Sequence, residues 1–268
     1  SWPPPRWASE SRRRRRAMRA LRPLAIALAV LAAGALAPAH AEVYKFPDRV
    51  VTAGGSFKPK RLPAKRMAPI ALTVNYSIRM RDGSFPPTLE RMVLDFDRDG
   101  RMDVRGLPRC RAERIAGVGS PGALRACRRA LVGRGEARVL VDGPDEDLQA
   151  KARLLAFNAG RVGGARTVLL HARLAAPEPV TVIAPVRITK APGRPYRDRA
   201  EISFPELGEG VSLVGFKATF KRRWRHRGKR RSFVSARCSW GALQVRGALH
   251  WPEGDFARGL IIRTCRRR

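Results

Sequence analysis

Between Ile70 and Ile78 the chain alternates: Ile70, Leu72, Val74, Tyr76 and Ile78 are large and apolar, with smaller or polar residues between them. A period of two is that of a strand with one face buried. Met92-Val93-Leu94-Asp95-Phe96 reads as another strand, and Asp99-Gly100 after it is a turn signal. From Gly133 onward strand patterns return over 137–141, 153–157, 167–174, 180–188, 200–204 and 211–220, then 232–238, 243–249 and 259–264. Between these two groups the texture changes. Residues 111–115 suit one short helical turn, and Ser120-Pro121 offers an N-cap and an N1 proline to a helix over 122–130. Short strands punctuated by Pro and Gly, with no long helix, predict a mainly β protein. The expected architecture is an antiparallel β-sandwich of about ten strands with a small disulfide-linked helical insertion.

The N-terminal segment reads differently. Met18 precedes a short positive stretch ending at Arg22, an apolar run follows from Leu24 to Ala37, and Ala39-His40-Ala41 places small residues where a signal peptidase cleaves. The run is shorter than the ~20 residues that span a bilayer. Residues 18–41 are therefore expected to be a signal peptide cleaved after Ala41, and 1–17, with its run from Arg12 to Arg16, an upstream or disordered extension. Residues 42–66 are loose, basic and rich in Pro and Gly, an expected leader with one strand around Val50-Val51. Residues 67–268 are then the single β domain of a secreted or envelope-associated protein.

Four cysteines, Cys110, Cys127, Cys238 and Cys265, follow the signal segment. An even count in an exported chain reads as a disulfide framework. Three pairings are open. The shortest closures favour Cys110–Cys127 and Cys238–Cys265. A zinc site would want a C-x-x-C pair and more histidines.

Charge narrows the partners. The chain carries 55 Lys and Arg against 22 Asp and Glu, a formal +33. Such an excess attracts polyanions. Arginine supplies most of it, and Ala, Gly and Pro are abundant too, as GC-rich codons produce unaided. An interaction protein whose charge is incidental is thus the competing expectation. The sharpest basic feature is the stretch 217–231, where two strand patterns flank Arg222, Arg223, Trp224, Arg225, Arg227, Lys229, Arg230 and Arg231, with Gly228 to turn. Arginines with an interleaved aromatic suit phosphate and carboxylate contacts. For an exported protein the natural targets are anionic cell-wall polymer or lipid headgroups, rather than nucleic acid. The same charges also guard a sheet edge from pairing with other chains.

Three blocks carry a resemblance. They are Gly106-Leu107-Pro108 before Cys110 with Cys127 ahead of Ala130-Leu131-Val132-Gly133-Arg134-Gly135; Leu155-Ala156-Phe157-Asn158; and Phe220 through Ser232 running to Cys238. Together they resemble a group of uncharacterised exported proteins from GC-rich bacterial genomes, over about residues 68–265. The resemblance implies a secreted domain with paired cysteines, and it carries no activity, ligand or catalytic residue.

Other motifs are weaker. Asp95, Asp97, Asp99 and Asp103, with Gly100, match the first part of a calcium loop. The twelfth position is Gly106 rather than Glu, and three arginines intervene, so an acidic hairpin turn competes. The letters G-x-G-x-x-G at 117–122 lack a preceding strand and contain Pro121, which reads as a turn before a helix. No G-x-S-x-G occurs, His171 lies in an apolar strand, His226 sits in the basic tip, and His250 adjoins Trp251. Asp142, Asp145, Glu146 and Asp147 form an acidic loop rather than a placed carboxylate pair. The expected role is non-catalytic, without a cofactor; an extracytoplasmic hydrolase of unrecognised type is the remaining alternative.

Overall fold

The computed structural model describes residues 42–143, 147–174 and 179–268. The expected signal peptide, the extension before it, and Asp145 and Glu146 lie outside these residues.

Twelve strands make one sheet with every neighbour antiparallel. They are β1 (Glu42–Lys45), β2 (Arg49–Lys58), β5 (Ala71–Met80), β6 (Arg91–Asp97), β8 (Leu131–Val141), β9 (Leu148–Val162), β10 (Ala165–Leu174), β11 (Val180–Lys190), β12 (Tyr196–Ser203), β13 (Val211–Phe220), β17 (Ala242–His250) and β18 (Phe256–Thr264). Seven short strands complete the numbering: β3 (Arg61–Leu62), β4 (Ala68–Pro69), β7 (Gly100–Met102), β14 (Arg223–His226), β15 (Lys229–Ser232), β16 (Val234–Ala236) and β19 (Arg266–Arg267). The large sheet runs β1-β2-β5-β13-β8-β9-β10-β11-β12-β6-β17-β18. It curls into a nearly closed barrel, whose opposite walls face each other across one apolar core as the two sheets of a sandwich do. At the seam, Tyr44 of β1 lies over Gly259 of β18, and Arg263 of β18 donates a hydrogen bond to the Gly55 carbonyl of β2 at 2.7 Å.

Alternation decides which face is inside. Leu72, Val74, Tyr76 and Ile78 of β5 join the core, as do Met92, Leu94 and Phe96 of β6 and Val168, Leu170 and Leu174 of β10. Charged residues such as Arg134, Glu136 and Arg153 occupy the outward positions of β8 and β9, so the outer wall faces water. Register shifts in β8, β10, β12 and β13 bend the strands. Where β8 meets β13, a Cβ on Gly135 would stand 2.0 Å from the Lys217 carbonyl oxygen, so only glycine fits that coil.

Two differences from the sequence reading have clear causes. Residues 42–66, expected as a leader with one strand, supply β1 and β2. The inward positions of β2 are Val51, Ala53, Gly55 and Phe57, whose small members mute the alternation. The helix, α1, spans Ser120–Cys127, and Gly119 rather than Ser120 is its N-cap, with no side-chain capping bond. Short 3₁₀ turns at Ala112–Arg114 and Arg128–Ala130 flank it. This insertion covers the outer faces of β9 and β10, where Ile115, Ala123 and Cys127 pack on Leu155, Phe157 and Leu169. That second burial explains why Leu154-Leu155-Ala156-Phe157 is apolar without alternation.

The disulfides are Cys110–Cys127 and Cys238–Cys265, with Cα atoms 5.5 and 6.0 Å apart. They match an oxidising, extracytoplasmic compartment. Among the described residues no helix is long and apolar enough to cross a membrane.

Candidate functional site

The basic stretch forms a hairpin of β14 and β15. Its turn residues, Arg227 and Gly228, have φ of 50° and 70°, the left-handed pair that a type I′ turn requires. One hairpin face is docked. Trp224 donates its indole N–H to the Arg105 carbonyl at 3.0 Å, and Arg231 pairs with Asp103 at 2.8 Å. The His226 ring sits against Gly106, where a Cβ would meet Nδ1 at 2.1 Å. The other face carries Arg223, Arg225 and Arg230, all exposed. Arg225 and Arg230 are directly paired across the strands. Opposed like charges destabilise a hairpin, and an anion between them would relieve the repulsion.

The hairpin belongs to one end of the barrel. That end also holds the β4-β16-β7 sheet, the parallel β3–β19 pair, and the turns at 163–164 and 191–195. It includes Arg61, Arg98, Arg194, Arg197, Lys221 and Arg266 among its cations. The loops at the opposite end have the other sign. They carry Asp48, Asp82, Glu90, Asp142, Glu206 and Asp255, and are tied together by Glu90 N–H to His250 O, Phe204 N–H to Glu90 O, and Asp142 N–H to Gly210 O.

Beside the hairpin a cleft of about 670 Å³ opens between Arg101, Arg161, Arg166, Arg187, Lys190 and Arg197, with Asp103 and Asp198 as its acids. Both acids are occupied. Asp103 holds Arg105 and Arg231, and Asp198 holds Arg166 at 2.6 Å. Arg166 also donates to the Met102 carbonyl at 2.5 Å, while Asp198 accepts the Met102 N–H at 3.0 Å. The Arg166–Asp198 pair thereby clips β7 across the mouth of the barrel.

Below β7 lies the apolar lumen. Three adjoining cavities of about 90, 60 and 60 Å³ run along it, and Phe216 lines all three. Met102 lines the first, the third and the cationic cleft; Arg101 and Asp198 border both the first cavity and the cleft.

The four aspartates of the calcium pattern hold separate partners. Asp95 is clamped by Arg199 and Arg246 at 2.7 and 2.6 Å. Burial raises its carboxyl, but the hydrogen bonds from the two guanidiniums outweigh that and leave it below the ordinary carboxylate range. Asp97 accepts the N–H groups of Asp99 and Gln244, and burial pushes it upward. Asp99 binds Arg237 and Ser239; Asp103 binds Arg105 and Arg231. For these two, burial again raises the carboxyl and the hydrogen bonds lower it further than that. Among the described residues no three His, Cys, Asp or Glu gather as a metal site.

His171 is fully buried under the insertion, its Nε2–H donating to the Val118 carbonyl at 3.0 Å. Val118 belongs to the Gly117–Gly122 turn, which leads into α1 as a turn before a helix should. His250 stands at the acidic end, and burial followed by Arg91 and Arg258 lowers its pKa. Two blocks of the resemblance meet physically: Asn158 donates to the Leu107 and Pro108 carbonyls at 3.2 and 2.8 Å.

The hairpin is legible in the sequence and the cleft is not. Arg161, Arg166, Lys190 and Arg197 come from neighbouring hairpins, and nothing in their local pattern marks convergence. The lumen was also missed; its signal was glycine in strand interiors, at Gly55 and Gly247. The fold and site define a nearly closed antiparallel barrel with an apolar interior, one cationic end and one acidic end. Comparison with protein-family models, with curated proteins and with solved structures finds no match.

Proposed function

We propose that the protein is a non-catalytic binding module, exported by the segment ending at Ala41, whose cationic end holds anionic components of the cell envelope. The observation that carries this reading is Arg225 opposite Arg230 on the open face of a hairpin whose other face is anchored. A solvated hairpin gains nothing from opposing two arginines, whereas phosphate or carboxylate groups of a wall polymer or headgroup layer bridge them. The segregation of charge supports the same reading, because it presents cations and withdraws acids from one approaching surface. The paired cysteines are in keeping with an extracytoplasmic setting.

The test is cosedimentation of oxidised residues 42–268 with isolated wall and membrane fractions across a salt series. Bound protein should fall steeply between low and physiological salt, as the Debye length shrinks toward about 8 Å. Replacing Arg223, Arg225 and Arg230, the exposed arginines of the open face, by Ser should abolish most of the binding and leave the melting temperature no lower than the parent's. Equal binding by that variant, or binding indifferent to salt, would reject the reading.

A further inference from the structure

Resting on the assignment of the cationic end as the binding end, we propose that the barrel holds a single-chain anionic amphiphile, with its acyl chain in the lumen and its carboxylate or phosphate in the adjoining cleft. Four observations carry this.

The first is space. A barrel of about eight strands can be filled by its own side chains, and this sheet has twelve. The inward side chains leave cavities of about 90, 60 and 60 Å³. On the scale by which an apolar cavity of ~150 Å³ takes one benzene, that row accepts on the order of eight carbons of an alkyl chain. The second is chemistry. Leu72, Val74, Leu94, Leu170 and Phe216 dominate the walls, and such a cavity stays dry, so an alkyl chain is its natural occupant.

The third is the placement of glycine. Gly55 and Gly247 lie in strand interiors and border the largest cavity. A Cβ at either position would meet its nearest neighbour at 3.5 Å, an ordinary contact. The fold therefore tolerates side chains there and keeps the space open. Glycine inside a strand weakens it and marks a bulge, a bend, or close approach by a ligand or another backbone, and neither position has a register shift.

The fourth is continuity. The largest cavity and the cationic cleft share Arg101, Met102 and Asp198 as wall. The cleft's acids are engaged by arginine, so its net field at the end of the lumen is positive. An arriving anion competes with Asp198 for Arg166, which loosens the Arg166 bond to the Met102 carbonyl while β7 stays paired with β16. The chain enters where the head binds.

The experiment is calorimetric titration of the delipidated protein with decanoate, decyl phosphate, decanol and inorganic phosphate. Decanoate and decyl phosphate should bind saturably, one per protein, with decanol about tenfold weaker. A combined Lys190→Gln and Arg197→Gln variant should bring both anions down to the level of decanol and leave decanol unchanged. Gly247→Leu occupies the space of about four methylene groups and should weaken all three alkyl ligands roughly a hundredfold. Its melting temperature must match the parent; Ala200→Leu, on another wall of the lumen, gives the same reading should Gly247→Leu fail to fold. Absence of saturable alkyl binding, or undiminished binding by a folded lumen-filling variant, overturns the proposal. Inorganic phosphate binding as tightly as decyl phosphate does so too, and makes the cleft a free-phosphate site. The two readings separate cleanly. Envelope binding without alkyl binding removes only this proposal, and alkyl binding without envelope binding removes only the hairpin's role.

Discussion

Asp95 stands on the outer wall with its side chain 3% exposed, between arginines from the strands on either side of β6. Its lowered pKa, with those of Asp99 and Asp103, ties stability to acid. A carboxyl whose folded value is depressed contributes stability above its unfolded value, about 3.9, and loses it as pH falls through the folded one. Asp97 is raised and works the other way: its contribution is present at low pH and lost as pH rises through its folded value. Asp48 and Asp82 are lowered too, and five depressed carboxyls against one raised one predict that unfolding free energy, measured with urea, declines as pH drops below about 4. Asp95→Asn should cost about 2 kcal/mol at neutral pH, tempered because its partners are partly exposed, and should flatten that decline. An unchanged acid slope in the variant would show that Asp95 is not among its sources. These residues also show which partners the four aspartates of the calcium pattern take in the fold. Alternate positions of a strand share one face but stand about 7 Å apart along it; Asp95 meets arginines of the flanking strands, and Asp97 meets the backbone N–H groups of Asp99 and Gln244.

At the scale of elements, the insertion is a patch sewn onto the barrel's outside. Its own helical content is one short α-helix and two 3₁₀ turns, too little to persist alone. It is held by burial on β9 and β10 and by Cys110–Cys127. Replacing both cysteines by Ala should cost roughly 3 kcal/mol on the chain-entropy view, and limited proteolysis should then cut first within 103–130. Cleavage elsewhere would mean that packing alone holds the patch. The hairpin, the strands from 70 onward and both disulfide pairs were legible in the sequence, because alternation, turn glycines and loop length are local signals. The strand expected around Val50-Val51 is β2, whose reach to Lys58 was hidden because Ala53 and Gly55 face inward; β1, only four residues long, was not legible. The helix start shifted because Gly119 reached the extended conformation of an N-cap before Ser120 was needed.

At the scale of the molecule, strand periodicity says which residues point inward and nothing about which strands adjoin. β13 lies between β5 and β8, and β6 between β12 and β17. These are pairings across long stretches of chain, settled by packing and by the bulges that curl the sheet. The cleft inherits that obscurity, because its cations meet only after the strands are ordered. The same ordering gathers acidic loops at one end and basic turns at the other.

One consequence concerns the seam. Among the described residues strand-to-strand pairing runs unbroken from β1 to β18 and stops there, and side chains bridge the gap: Tyr44 over Gly259, Arg263 on the Gly55 carbonyl, Arg49 on Asp255 and Phe46 against Trp251. The wall is thus a scroll with a free margin. In deuterium exchange the amides of β1 and β18 that face this margin should exchange orders of magnitude faster than those of β8, β9 and β10, which open only with global unfolding. Uniform protection around the circumference would mean that the margin is sealed in solution. A scroll of this kind can widen by unrolling at its edge while the rest of the wall keeps its register.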